Sequence, residues 1–254
     1  MNDSRASGTR LSVWVDALAP GARYAFTGRC GGLSQPPYQG LNLSAATGDD
    51  PDTVARNRQL LAAACGLPVE HLIWMRQVHG ADVGEVTGPS DRGSAPSRDA
   101  SFTSVPGLAQ GALAADCPVV LLADPDAKIV GAAHSGRKGT VAGVTGALVA
   151  AMCRTGADPG RMYAVISPAI CGGCYEVPDE MRDSVAAAVP GSGCLTRAGT
   201  PGLDLRAGIA GQLAAAGVRR VRVDPRCTAE TPDLYSYRRD GRTGRFAGLV
   251  WLAP

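Results

Sequence analysis

The run Ala115 to Thr140, ADCPVVLLADPDAKIVGAAHSGRKGT, places the tightest limit on what this chain can fold into. Two apolar runs, Val119 to Ala123 and Lys128 to Ala133, flank Asp124-Pro125-Asp126-Ala127, and Pro followed by Asp suits the middle of a type I turn. The segment reads as a β-hairpin with Pro125 and Asp126 at its tip. That register pairs Asp124 with Ala127 and carries on to set Cys117 opposite His134. Directly opposed residues hold their Cβ atoms about 4.5 to 5.5 Å apart on one face. A thiol and an imidazole therefore converge where the two strands open.

Such a pair supports two chemistries. Imidazole beside a thiol favours the thiolate and makes a nucleophile of it, which would give a metal-free Cys-His hydrolase or deamidase. The same pair can be part of a metal site if a further ligand joins it. His79, at the end of Trp74 to Val78 and just before Gly80, is the candidate. Two His and one Cys leave the fourth tetrahedral corner open, as in catalytic zinc centres. Taken singly, a buried Cys or His is more often an inert core residue than a functional one.

Three blocks around these residues are recognisable: Gln77-Val78-His79-Gly80, Ala115-Asp116-Cys117-Pro118 and Ala133-His134-Ser135-Gly136. They resemble the signature of the laccase-domain family, first described as multicopper polyphenol oxidases. Further ordered blocks run along nearly the whole chain, among them Phe26-Thr27, Asn42-Leu43-Ser44, Asn57-Arg58, Cys174-Tyr175-Glu176-Val177 and Ser236-Tyr237-Arg238. The resemblance implies a zinc-dependent purine nucleoside phosphorylase with adenosine deaminase activity. It would act on adenosine, inosine and methylthioadenosine with phosphate. It also implies that His79, Cys117 and His134 are both the metal ligands and the catalytic set. Candidate substrate-binding residues are Asn42, Arg58, Gln77 and Arg238 from these blocks, joined by Arg137. The family's common His-Ala-Gly-Trp-Arg-Gly is here His134-Ser135-Gly136-Arg137-Lys138-Gly139, so a cation stands in place of an aromatic wall. Ser167 replaces the usual Gly before Pro168. The older family name keeps copper, as a polyphenol oxidase, as the alternative cofactor, but three His in all are too few for several coppers. The expected outcome is one zinc per chain and base release that requires phosphate.

The remaining sequence fits this reading. With 254 residues and a net charge of +2, the chain can build one large core and has no electrostatic call for nucleic acid. It contains no apolar stretch of membrane-spanning length and no secretory h-region, and eight irregularly scattered cysteines suit the reduced thiols of a cytoplasmic protein. Cys171-Gly172-Gly173-Cys174 lacks the second CxxC of a zinc knuckle and the strand-to-helix setting of a redox motif. Sequence alone assigns it neither role. The stretch Gly131 to Lys138 fails the Walker pattern, and Ser135 has no nucleophile-elbow context.

Alternation around Pro20-Gly21 predicts an opening hairpin from Leu11 to Arg29. Asp50-Pro51 predicts a helix start and Gly66 its end. A helix is expected directly after Gly139, with Val141, Val144, Leu148, Val149 and Met152 on one face, so that Arg137 and Lys138 lie at its start where an anion could dock. Arg58, Arg137, Lys138, Arg238 and Arg245 are the cations available for phosphate. Gly88 to Arg98 reads as a mobile loop. Strands are predicted at Met162 to Ser167, Val218 to Val223 and Phe246 to Leu252, with helices from Asp179 to Val189 and from Asp204 towards Gly217. These elements define an α+β fold, which the resemblance refines to a β-sheet sandwich flanked by helices in α/β/β/α layers. The expected organisation is a disordered N-terminus, 1–10, and a single catalytic domain, 11–254. The resemblance suggests a monomer or weak homodimer.

Overall fold

A computed structural model describes residues 10–89 and 95–253. The tail expected to be disordered therefore lies outside the described residues, Arg10 excepted, as does part of the expected mobile loop. The described end of that loop is held, because Ser97 bridges to Arg76 in parallel fashion.

The chain opens with strands β1 (Val13–Ala19) and β2 (Ala22–Thr27), an antiparallel hairpin whose turn uses Gly21 at φ 69°. Helix α1 (Pro51–Cys65) follows, with the Asp50 side chain accepting from the Asp52 and Thr53 amides and Gly66 left-handed at its end. Next come β3 (Leu72–Ile73), β4 (Val83–Glu85), β5 (Ala100–Thr103), β6 (Ala109–Ala114), β7 (Val119–Asp124) and β8 (Ile129–His134). Two helices, α2 (Arg137–Val141) and α3 (Val144–Arg154), lead to β9 (Tyr163–Ile166) and α4 (Asp179–Ala188). The chain ends with β10 (Gly193–Leu195), β11 (Pro201–Leu203), α5 (Leu205–Ala215), β12 (Arg220–Val223), α6 (Tyr237–Asp240) and β13 (Phe246–Leu252).

Two large sheets stack face to face. One runs β1-β2-β13-β6-β3 and the other β12-β9-β7-β8-β5-β4, while β10 and β11 form a separate ribbon. Both large sheets are mixed: β3 is parallel to β6, β4 to β5 and β12 to β9. The alternation of β7 shows how the layers form, since successive strand residues face opposite sides. Val119, Leu121 and Ala123 enter the core between the sheets, whereas Val120 and Leu122 pack under α3 and α5 with Leu148, Met152 and Ile209. On the far side, Ala247, Leu249 and Trp251 of β13 pack on Leu61 and Ala62 of α1. The layers are thus α/β/β/α in one α+β domain.

Two local expectations are corrected. The β7–β8 hairpin pairs Asp124 with Ile129 and Val119 with His134, so its loop has four residues and Cys117 lies two positions beyond the partner of His134. The reason is the buried Asp124 side chain, which accepts from the Asp126 and Ala127 amides at 3.0 and 3.2 Å and from Asp158 N at 2.8 Å, while Lys128 turns the chain at φ 54°. The displacement is even, so Cys117 keeps its face. The helix expected after Gly139 is two helices, broken where Gly143 adopts φ 79°.

Candidate metal and catalytic site

His134 ends β8, Cys117 lies two residues before β7, and His79 belongs to the connection between β3 and β4. Their ligand atoms all lie within 4.8 Å of one another. The two imidazoles meet edge to face, with centroids 4.8 Å apart and planes at 85°. His134 is buried, Cys117 half-buried and His79 exposed, so the triplet opens to solvent on one side only.

Asp99, fully buried at the start of β5, organises the triplet. Its Oδ1 accepts from His134 Nδ1 at 2.9 Å and from the His79 amide at 3.0 Å. Its Oδ2 accepts from the amides of Val78 and Gly80 at 3.0 and 2.7 Å. Three convergent N–H groups hold His79 in the left-handed conformation at φ 61°, an uncommon one for a residue with a Cβ. The His134 amide also donates to the Asp99 carbonyl at 2.7 Å. Fixing Nδ1 this way directs His134 Nε2 outward as a ligand, the usual carboxylate–histidine arrangement at metal sites. Burial raises the Asp99 carboxyl, but the bonds from His134 and the amides outweigh it and hold the group below the ordinary range.

The thiol and imidazole perturb each other. Burial alone would raise Cys117, yet hydrogen bonds and charge from His134 and His79 bring it down to about 6. Burial alone would lower His134, yet Asp99 and Cys117 raise it to about 9. A site that favours thiolate in this way is preloaded for a cation. Gly136 makes room for one: a Cβ there would lie 2.8 Å from Cys117 Sγ, 3.2 Å from His79 Cδ2 and 3.4 Å from His134 Cε1. Two imidazoles and one thiolate with a clear corner fit a divalent metal. The remaining histidine, His71, is engaged elsewhere, with Nδ1 3.2 Å from the Gly107 carbonyl.

The triplet lies in the wall of a cavity of about 590 Å³. Met75, Ile170, Tyr175, Leu205 and Tyr237 give the cavity apolar and aromatic surface, and Arg76, Arg238 and Arg245 give it cations. Of the substrate-binding candidates, Gln77 and Arg238 line the cavity with the triplet. The Gln77 amide is clamped to the Leu113 backbone by two bonds of 2.8 Å. Arg238 lies over the Tyr175 ring at 5.2 Å and donates to the Glu176 carbonyl. Asn42, Arg58 and Arg137 do not line the cavity. Asn42 is buried and accepts from the amides of Ser44 and Arg245, so it holds two lining residues in place. Arg58 stacks on Trp74 at 4.9 Å and donates to the Leu43 carbonyl. The Arg137 charge acts on the Tyr175 phenol, whose pKa burial raises and that charge lowers.

Sequence reasoning did not find Asp99. No motif surrounds it, and the only signal available was an acidic residue heading the apolar run Ala100-Ser101-Phe102. Asp116, the carboxylate next to Cys117 in the chain, also lines the cavity, and its oxygens accept from Thr228 Oγ1 at 2.6 Å and from the Arg238 amide at 2.7 Å. Ser167 Oγ takes the Val119 amide at 2.9 Å, capping the strand beside Cys117.

No helix among the described residues is long and apolar enough to cross a membrane. The family model described as multi-copper polyphenol oxidoreductase laccase matches residues 23–253. A Streptomyces griseus protein named purine nucleoside phosphorylase ORF3 is 53% identical over 232 residues, covering 91% of this chain and 94% of that protein. The crystal structure of YlmD from Geobacillus stearothermophilus superposes with a TM-score of 0.85 at 35% identity, over 92% of this chain and 93% of that one. That of the Bacillus licheniformis hypothetical protein YfiH gives a TM-score of 0.87 at 27% identity, over 97% and 99%. With its match extending over nearly the whole fold and its donor triplet assembled in one cavity wall, the chain belongs to the multi-copper polyphenol oxidoreductase laccase family.

Proposed function

We propose that this chain is a zinc-dependent purine nucleoside phosphorylase, converting adenosine, inosine or methylthioadenosine and phosphate to free base and ribose 1-phosphate. The observation that carries this reading is a single cavity holding a metal-ligand triplet, an aromatic wall and arginines. The name of the Streptomyces griseus relative supports it. Zinc is the metal assigned because His, His and Cys with a clear corner are its ordinary open donor set.

Each residue has a task in phosphorolysis. Tyr237 offers a face for a purine, and Ile170 and Leu205 keep water from the reacting carbon. Arg238 and Arg245 place positive charge where phosphate must approach the ribose, so they bind and orient the attacking anion. Tyr175, raised by burial, stays a neutral phenol at working pH and donates its proton in a hydrogen bond to the departing base. His134 keeps its Nδ1 proton on the Asp99 bond throughout. A zinc ion held by His79, Cys117 and His134 would supply Lewis acidity to the site.

Deamination of adenosine by the same site is the slower activity in this reading. Zinc deaminases use a non-ligating carboxylate as proton shuttle, and both oxygens of Asp116 are engaged. Copper oxidase chemistry is disfavoured because His71 is the one histidine left to extend the ligand set and it is held by Gly107.

The test is base release from inosine by purified protein with and without phosphate, before and after metal removal. Hypoxanthine should form only with phosphate, disappear on stripping and return with zinc. Phosphate-independent release, or full activity after exhaustive chelation, would overturn the proposal.

A further inference from the structure

A second group of ligating side chains lies outside the cavity. Cys171, Cys174, Cys227 and Glu230 have donor atoms all within 4.8 Å of one another, although the two pairs are far apart in sequence. Donors around tetrahedral zinc, with Zn–S near 2.3 Å, lie about 3.8 Å apart, so a small contraction would close the shell.

The two segments are built alike. The Cys171 carbonyl accepts from the amides of Cys174 at 2.9 Å and Tyr175 at 3.0 Å. The Cys227 carbonyl accepts from those of Glu230 at 3.2 Å and Thr231 at 2.9 Å. A parallel bridge between Ala169 and Cys227 sets the turns side by side, and the Cys171 amide donates to Cys227 Sγ at 3.3 Å. Cys-x-x-Cys and Cys-x-x-Glu thus face each other as paired knuckles do around one ion. The missing second CxxC is supplied as a CxxE that no local pattern reveals.

The surroundings suit bound metal. Arg197 donates to Cys174 Sγ at 3.2 Å and pairs with Glu230, so a cation beyond the donors offsets their excess negative charge and orients the carboxylate. Gly172 and Gly173 let the turn pass close to its neighbours: a Cβ on the first would lie 2.7 Å from Cys194 Sγ and one on the second 3.1 Å from Arg197 Cγ.

We propose that Cys171, Cys174, Cys227 and Glu230 form a second metal site, a closed one that takes zinc or another thiophilic divalent cation and clamps the wall of the cavity. Binding displaces the three thiol protons to solvent and leaves no corner for substrate. The clamp acts through short connections. Ile170 and Tyr175, which flank the CxxC, line the cavity, and Thr228, beside Cys227, holds Asp116 next to Cys117.

The test loads the full chain with zinc and, separately, with cobalt, and reads metal per chain and the sulfur-to-cobalt charge-transfer band. About two ions per chain are expected, about one remaining in either Cys117→Ala or Cys227→Ser. The three-thiolate site should give most of the charge-transfer intensity, so Cys227→Ser should lose the larger share and Cys117→Ala the smaller. If Cys227→Ser fails to fold, Glu230→Gln should still load both sites and surrender one zinc to a chelator at least tenfold faster than the parent. A single zinc in the loaded parent, a band no stronger than one thiolate gives, or a Cys171–Cys174 disulfide in protein kept under reductant would overturn the proposal. None of these readouts involves nucleoside turnover, so failure here leaves the proposed reaction standing.

Discussion

Cys117 and Cys174 are both half-buried thiols in clusters of ligating groups, yet their surroundings drive them in opposite directions. Two imidazoles bring Cys117 down to about 6. Burial, then hydrogen bonding and charge from Cys171 and Cys227, push Cys174 up to about 11. Burial opposes ionisation in both, so the partners decide the outcome. An imidazole can take the thiol's proton and remain beside it as a cation; a second thiol can only compete for the same negative charge. The first cluster is therefore poised for chemistry before metal arrives, whereas the second needs the ion to ionise it. This difference is the one that the proposed reactive centre and the proposed clamp require.

The comparison breaks most directly by altering one ligand in each cluster. Cys117→Ala should reduce phosphate-dependent base release roughly a thousandfold, about 4 kcal/mol of transition-state stabilisation. Glu230→Gln, outside the cavity, should reduce it less than tenfold and act mainly on thermal stability. Initial rates measured in the same excess of zinc check both. Equal losses would erase the distinction between the clusters.

A smaller effect is expected in metal-free protein treated with iodoacetamide at pH 7. Thiolate fractions set by values near 6 and 11 differ by about ten-thousandfold, but the lower-pKa sulfur is the weaker nucleophile, which recovers about a hundredfold. Cys117 should thus be alkylated about a hundred times faster than Cys174, with its rate rising through pH 6. The sign also fixes a stability window. Cys117 is depressed from 9.0, so its contribution is complete above that value and lost as pH falls through about 6. His134 is raised from 6.5, so its contribution is complete below that value and lost as pH rises through about 9. The ion pair accordingly supports the metal-free fold between those limits. Peptide mapping of the alkylated residue and melting temperatures across pH test the two halves.

Asp99→Asn sharpens the comparison further, since Asp99 is the anchor that the second cluster lacks. Asn keeps the shape but loses the charge that fixes His134, so zinc affinity should fall about 10- to 100-fold. The carboxyl is depressed in the fold, so its stabilisation is present above 3.8, the unfolded value, and fades as pH falls towards the folded one. The parent should consequently lose stability more steeply than Asp99→Asn in that acid window. A chelator titration and acid unfolding curves measure these effects.

How much of this was legible in the sequence follows the range of the interactions. Helix α1 could be read from Asp50, Pro51 and Gly66 because its caps are local. The β7–β8 hairpin was legible as an element but not in register, since Asp124 is also recruited by Asp158, 34 residues away. Cys117 and His134 still converge because a shift of two preserves the face. Asp99 acts on His134 across 35 residues, and Cys227 meets Cys171 across 56, distances at which periodicity and turn chemistry carry no signal. Cys117 and His134 were singled out by the hairpin pattern and, with His79, by their short blocks; Asp99 was not.

The smallest expected effect isolates space from charge. Gly136 has φ −68°, open to any residue, so alanine there brings no backbone strain. Its methyl would stand 2.8 Å from Cys117 Sγ, closer than carbon and sulfur pack, and 3.2 Å from the His79 ring. His79 is exposed and can yield, but its movement does not relieve the sulfur, so the Cys117 thiol must turn away as well. Gly136→Ala should therefore move two of the three ligands and weaken zinc about tenfold, while His134 stays on its Asp99 bond. Cys117 alkylation in the metal-free variant should shift its midpoint upward from about 6, as the sulfur leaves the imidazoles. An unchanged midpoint would mean that the backbone at Gly136, rather than the sulfur, gives way, and the division between a charged pair and a third, adaptable ligand would have to be redrawn.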